Sequence, residues 1–126
     1  MAKLFLDANC LIDLILNRDE TLAQQLAGNQ LIISALSIHI LCYVGKHLMP
    51  SDLLNQALTY FTVVSMNQEL VTKSLQGPTP DFEDNVQLHS ALLAQCDYFV
   101  SRDEKLIFST DWQLVPVIKP IQLKNL

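Results

Sequence analysis

Lys3-Leu4-Phe5-Leu6-Asp7-Ala8-Asn9 is an apolar run of strand type that ends abruptly in an aspartate, where a helical pattern begins. Leu11, Ile12, Ile15 and Leu16 recur at helical spacing between Ala8 and Asn17. A carboxylate at the tip of a buried first strand does little for stability alone, because burying charge is costly. It has an obvious use if it holds a cation or a phosphorylated substrate. The chain must therefore be read for other carboxylates that return to the same place.

The strand-then-helix pattern recurs along the chain. Asp19 and Glu20 start a second short helix that ends near Gly28, and Gln30-Leu31-Ile32-Ile33 is a second strand with Ser34 as the next N-cap. The helix from about Ala35 to His47 is expected to bury Leu36, Ile40, Leu41, Val44 and Leu48, with His39, Tyr43, Lys46 and His47 on a solvated face. Ser51 caps a helix reaching about Tyr60, and Phe61-Thr62-Val63-Val64 is a third strand. A helix over about 67–75 is broken by Gly77-Pro78-Thr79-Pro80. Residues 81–95 form the next helix, with Val86, Leu88, Ala91, Leu92 and Leu93 available for packing. Tyr98-Phe99-Val100 is the fourth strand, ended by Ser101-Arg102-Asp103, and prolines place a last strand near Val115–Ile118 at an edge. Short strands, apolar on both faces and alternating with helices, imply a parallel sheet of four to five strands covered on both sides: an α/β/α sandwich.

Composition narrows the function classes. The 126 residues fit one domain, 1–126, and half of them are hydrophobic with only 17% charged, so a packed core is expected. A net charge of −5 excludes a bulk positive field for nucleic acid; any such contact must use local Lys and Arg or a metal. Cys10, Cys42 and Cys96 have no metal-type spacing and read as buried thiols. No apolar run approaches a membrane span and no cleavable leader is visible, so a soluble, cytoplasmic protein without membrane contact is expected.

In a parallel sheet all strands end at one edge, and that edge is where open α/β sheets bind ligands. Asp7 ends the first strand and Asp103 follows the fourth. Asp81, Glu83 and Asp84 lie in the first turn of the 81–95 helix, which starts at that edge. Clustered carboxylates repel unless a cation neutralises them, and an oxygen-rich set suits Mg²⁺ or Mn²⁺. Metal-assisted phosphodiester hydrolysis is the natural reaction class. Asp7, Asp84 and Asp103 are the candidate catalytic and metal-binding residues. Asn9, Asp81, Glu83, Ser101 and His39 are candidate auxiliaries, and Arg102 and Lys46 are candidate phosphate-backbone contacts. Plainer roles compete: Asp81 as a helix cap, Asp103 as the cap of a turn at Glu104–Leu106, Asp13 as a solvated position and His89 as a mid-helix residue without a partner.

Phe5-Leu6-Asp7-Ala8-Asn9, Asp81-Phe82-Glu83-Asp84 and Tyr98-Phe99-Val100-Ser101-Arg102-Asp103, in this order and placement, resemble the PIN-domain family of metal-dependent ribonucleases. Many of these are toxins of bacterial toxin–antitoxin pairs. The resemblance implies a central first strand, an acidic pocket of Asp7, Asp84 and Asp103 holding Mg²⁺ or Mn²⁺, Ser101 as a supporting hydroxyl, and an RNA substrate. It also implies a small antitoxin-like protein partner, and homodimerisation is common in the family. One segment departs from the pattern. The family usually carries a glutamate early in the helix after strand two, whereas no carboxylate occurs here between Glu20 and Asp52, and His39 or Ile40 takes the position. Either fewer acids hold the metal, helped by Asp81, Glu83 or His39, or catalysis is weak or lost. The alternative function is a catalytically inactive PIN-like module that binds RNA or a protein. A receiver or dehalogenase-type phosphotransfer fold is disfavoured, because Ser65 follows strand three and Asn9 stands two residues after Asp7.

Overall fold

Alternation along the strands divides the core in two. Leu4 and Leu6 of the first strand, Ile33 of the second and Val100 of the fourth join one buried cluster, whereas Phe5, Ile32 and Phe99 join another. Successive strand side chains point to opposite faces, so a strand apolar at every position must be covered on both sides. The computed structural model, which describes residues 1–109, 112 and 114–126, has this organisation.

Among the described residues, five parallel strands stand in the order β3-β2-β1-β4-β5. They are β1 (Lys3–Leu6), β2 (Gln30–Ser34), β3 (Phe61–Val64), β4 (Tyr98–Val100) and β5 (Val117–Ile118). The first strand is central, and β5 is a two-residue edge strand, shorter than the expected Val115–Ile118. The helices are α1 (Ala8–Ile15), α2 (Glu20–Leu26), α3 (Ala35–Gly45), α4 (Asp52–Leu58), α5 (Gln68–Gln76), α6 (Phe82–Leu93) and α7 (Glu104–Ser109), and a 3-10 helix spans Pro120–Asn125. The first cluster sits under α1 to α4, through Leu11, Leu22, Leu41 and Leu54; the second lies under α6 and α7, through Leu88, Ala91 and Leu106. The result is a three-layer α/β/α sandwich.

Capping explains where the helices begin. Asp7, Asp19, Ser34, Ser51, Asn67 and Asp81 each accept a hydrogen bond from an amide in the first turn of α1 to α6 in succession. Each such cap contributes about 1 kcal/mol.

Two packing expectations need correction. α3 ends at Gly45 with Lys46 left-handed (φ 51°), and it buries Ser37 and Leu41, while Val44 and Leu48 are exposed. Its sequence is apolar nearly all round, so the apolar pattern does not fix which side meets the sheet. Leu93, at the end of α6, is also exposed, beyond the reach of the second cluster. Cys10 and Cys96 are buried and Cys42 half-buried, all as free thiols. Among the described residues, no helix is long and apolar enough to cross a membrane.

Candidate active site

The register of β1 against β4 builds the site. Leu6 pairs with Val100, and the Asp7 amide extends the ladder by donating to the Val100 carbonyl at 3.2 Å, so Asp7 and Ser101 emerge side by side at the C-terminal edge. Asp7 is 5% exposed. Its Oδ1 accepts the Cys10 amide at 2.7 Å, and its Oδ2 accepts the Ser101 hydroxyl at 2.5 Å. The same Ser101 oxygen accepts the Asp103 amide at 3.0 Å. Ser101 thus ties Asp7 to the backbone of the loop that carries Asp103. Burial raises the Asp7 carboxyl above its ordinary range; the Ser101 and Cys10 hydrogen bonds oppose this, and the Asp103 charge adds to it.

α6 brings the third acid. Asp81 is its N-cap, accepting the Asp84 amide at 3.0 Å. Asp84 is half-buried and pushed up to about 6 from the ordinary 3.8, first by burial and then by the charges of Asp81, Asp103, Asp7 and Glu83. Carboxylates from β1, α6 and the β4 loop therefore share one field at one sheet edge. Asp103 Oδ1 also accepts the Lys105 amide at 3.0 Å at the start of α7, so it combines a capping role with its place among the acids.

The other candidates lie as follows. Glu83 is exposed in the first turn of α6, and Asn9 is exposed in the first turn of α1. On α3, Ile40 and Leu41 flank the buried Ser37 at helical spacing, whereas His39 is exposed on the far side. Lys46 ends α3, which runs back along the sheet for roughly 16 Å, so the structure does not bring it to the acids. Arg102 sits between Ser101 and Asp103 in sequence, but its guanidinium donates to Asp13 at 2.9 Å and Asp19 at 3.1 Å, clamping the β4 loop to α1 and α2.

Sequence reasoning missed three positioning groups. Gln87, 4% exposed in α6, accepts the Ala8 amide on Oε1 at 2.7 Å and so bolts the helix carrying Asp84 to the residue after Asp7. Asp13 and Asp19 are the counter-charges that hold Arg102. These contacts span 79 to 89 residues and leave no periodic signature. The only available hint was a glutamine within a mostly apolar stretch of α6.

Solved structures share this fold, two of them described as toxin–antitoxin proteins or VapBC. A toxin–antitoxin complex from Klebsiella pneumoniae superposes with a TM-score of 0.71 at 22% identity, covering 92% of this chain and 96% of the other. VapBC2 from Rickettsia felis, bound to a DNA fragment from its promoter, gives 0.66 at 12% identity, covering 92% and 97%. PAE2754 from Pyrobaculum aerophilum gives 0.59 at 17% identity, covering 99% and 91%. The chain has a PIN-like fold. No protein-family model and no curated protein matches it by sequence.

The PIN-like edge can be tested against a divalent cation by its donor set. Among the described residues, no three His, Cys, Asp or Glu side chains stand close enough to make a ready-built metal cage. Mg²⁺, however, keeps several waters and needs only one or two carboxylates. Asp7 accepts from the Cys10 amide and thiol and from the Ser101 hydroxyl, and a carboxylate has about four lone-pair sites, so room for one coordination position remains. The all-oxygen set, strained by like charge at Asp84, fits a hydrated hard cation.

Proposed function

We propose that this chain is a divalent-metal-dependent endoribonuclease of toxin type. The observation that carries the reading is the shared field of Asp7, Asp84 and Asp103 at one sheet edge, with Ser101 joining two of them. Asp7, Asp84 and Asp103 are the residues that would hold Mg²⁺ or Mn²⁺. When bound, such an ion supplies Lewis acidity toward a phosphodiester oxygen and toward water. Ser101 favours the ionised form of Asp7 by donating to it, and it fixes the loop of Asp103. Gln87 holds Asp84 in reach of Asp7, and Arg102 holds the β4 loop from the other side. Asp84, with its raised pKa of about 6, is the acid most ready to exchange a proton near neutrality.

The test is cleavage of an RNA panel with Mn²⁺, comparing wild type with Asp7→Asn and Asp84→Asn. The variants should lose on the order of a hundredfold or more in rate, the several kcal/mol that Lewis-acid help supplies. Equal rates in all three would sink the mechanism.

A second reading rests on α3. Its inward side presents Ser37, Ile40 and Leu41 and no carboxylate, so the acid set lacks a contribution from that helix. A catalytically weak or inactive module that binds RNA or a protein follows if no RNA in the panel is cut. The partner half of the toxin reading draws support from the two toxin–antitoxin complexes and from a net charge of −5, which suits a small basic protein. Co-purification with the product of a neighbouring gene is the expected result, in a cytoplasmic setting. A chain that runs as a partner-free species from its native source counts against it.

A further inference from the structure

α5 and α6 leave a trough on the side of α6 that faces away from Asp7. One hollow of about 260 Å³ is lined by Asn67, Lys73, His89 and Gln95, among others. A second of about 240 Å³ is lined by Lys73, Gln76, Gly77, Pro78, His89 and Trp112. Lys73 and His89 border both hollows, so the two meet along them. Each is large enough for a flat heteroaromatic ring and too small for a folded element.

The walls are built rather than incidental. His89 Nε2 lies 2.9 Å from the Gly77 carbonyl, which can only accept, so Nε2 carries the proton. Among the described residues, His89 Nδ1 is a buried acceptor without a hydrogen-bond partner. Trp112 meets the His89 ring edge-on, with centroids 5.9 Å apart and planes at 64°, and packs against the second core cluster. Asn85 fixes the α5–α6 loop through four hydrogen bonds: its amide donates to the Ser74 and Thr79 carbonyls, and its Oδ1 accepts from the Thr79 amide and hydroxyl. Lys73 is exposed and, among the described residues, pairs with Glu69, which lines the same hollow; this surface i,i+4 contact exchanges readily.

We propose that this trough is a base-binding subsite for single-stranded RNA, with Trp112 as the stacking surface and Lys73 as the phosphate contact. It deepens the ribonuclease reading and rests on it for the identity of the ligand. A nucleobase has apolar faces and a polar edge. The trough offers an indole and Pro78 to the former, and Gln76, Asn67 and Gln95 to the latter. Lys73 supplies the local cation that an acidic protein needs for a phosphate chain. The position also suits the chemistry, because Pro78 lies three residues before Asp81, at most about 10 Å of chain from the acidic edge.

Trp112 is the only tryptophan, so its fluorescence reports on this trough alone. The full-length chain is titrated with a short unstructured oligoribonucleotide in EDTA, where metal-dependent cleavage is off. Saturable quenching is expected, weakening as salt rises and by about tenfold in Lys73→Glu, an exposed position whose change leaves the fold intact. RNA that is cleaved with Mn²⁺ but leaves Trp112 unperturbed overturns the subsite while the ribonuclease reading stands. Saturable quenching without cleavage under any metal overturns the ribonuclease reading while the subsite stands. Quenching indifferent to salt and to Lys73→Glu marks apolar docking of another kind and overturns the subsite.

Discussion

Ser101 donates its hydroxyl to Asp7 and accepts the Asp103 amide, so deleting one oxygen atom disturbs two of the three acids together. Ser101 is fully buried, and Ser101→Ala leaves a carboxylate oxygen and an amide without their partner. The expected destabilisation is about 1–3 kcal/mol, read as a lower urea midpoint at neutral pH with an unchanged slope. The Asp7 carboxyl should also titrate higher in the variant, because the Ser101 hydrogen bond is the largest influence opposing its burial. A carboxyl-carbon NMR titration in which Asp7 is unmoved would show that Ser101 is a spectator. The place of Asp7 and Asp103 at the edge was legible in the sequence because Asp7 directly follows β1 and Asp103 closes the short loop after β4, so the strands themselves address them there. Ser101 was legible for the same reason.

At the scale of elements, the question is what fixes α6 against the sheet so that Asp84 reaches Asp7. Gln87 follows Asp84 by one helical turn and caps the Ala8 amide, making a buried polar bolt between the two acid-bearing segments. Gln87→Leu keeps the volume and removes the acceptor, leaving a buried amide of α1 unsatisfied. The expected cost is about 1–3 kcal/mol by chemical denaturation. Mn²⁺ affinity should fall with it, and an equally stable variant of unchanged affinity would contradict the positioning role. Order and type of elements were readable from periodicity: the five strands and the edge place of β5 follow from apolar runs, caps and prolines, whereas the central place of β1 came only from the family resemblance. The rotation of α3 was not. Ala35–Gly45 is apolar around most of its circumference, so an expected stripe of Val44 and Leu48 proved exposed while Ser37 went inside. Long-range polar contacts such as Gln87 to Ala8, or Arg102 to Asp13 and Asp19, were equally hidden, since a side chain's partner is set by tertiary register and not by local pattern.

For the whole molecule, the acidic edge makes stability depend on pH in a definite direction. Asp84 is pushed up to about 6 from 3.8, and Asp7 is also raised, so the folded chain holds protons that the unfolded chain releases. The stabilisation tied to those protons is complete below the ordinary value of 3.8 and is lost as pH rises through about 6. A net charge of −5 at pH 7 acts in the same direction through self-repulsion. Thermal midpoints should therefore decline from about pH 5 to about pH 8 in metal-free buffer, and Asp84→Asn should flatten the decline. A divalent cation reverses the sign, because it binds the ionised carboxylates of the folded state and competes with protons for them. At a hundred times its dissociation constant, a cation that binds only the folded chain adds about 2.7 kcal/mol. Mn²⁺ should consequently raise Tm at about pH 8, have little effect at about pH 5, and lose most of its effect in Asp84→Asn. A Tm that rises equally at both pH values, or equally in the variant, would place the cation elsewhere on an acidic surface and remove Asp84 from the ligand set.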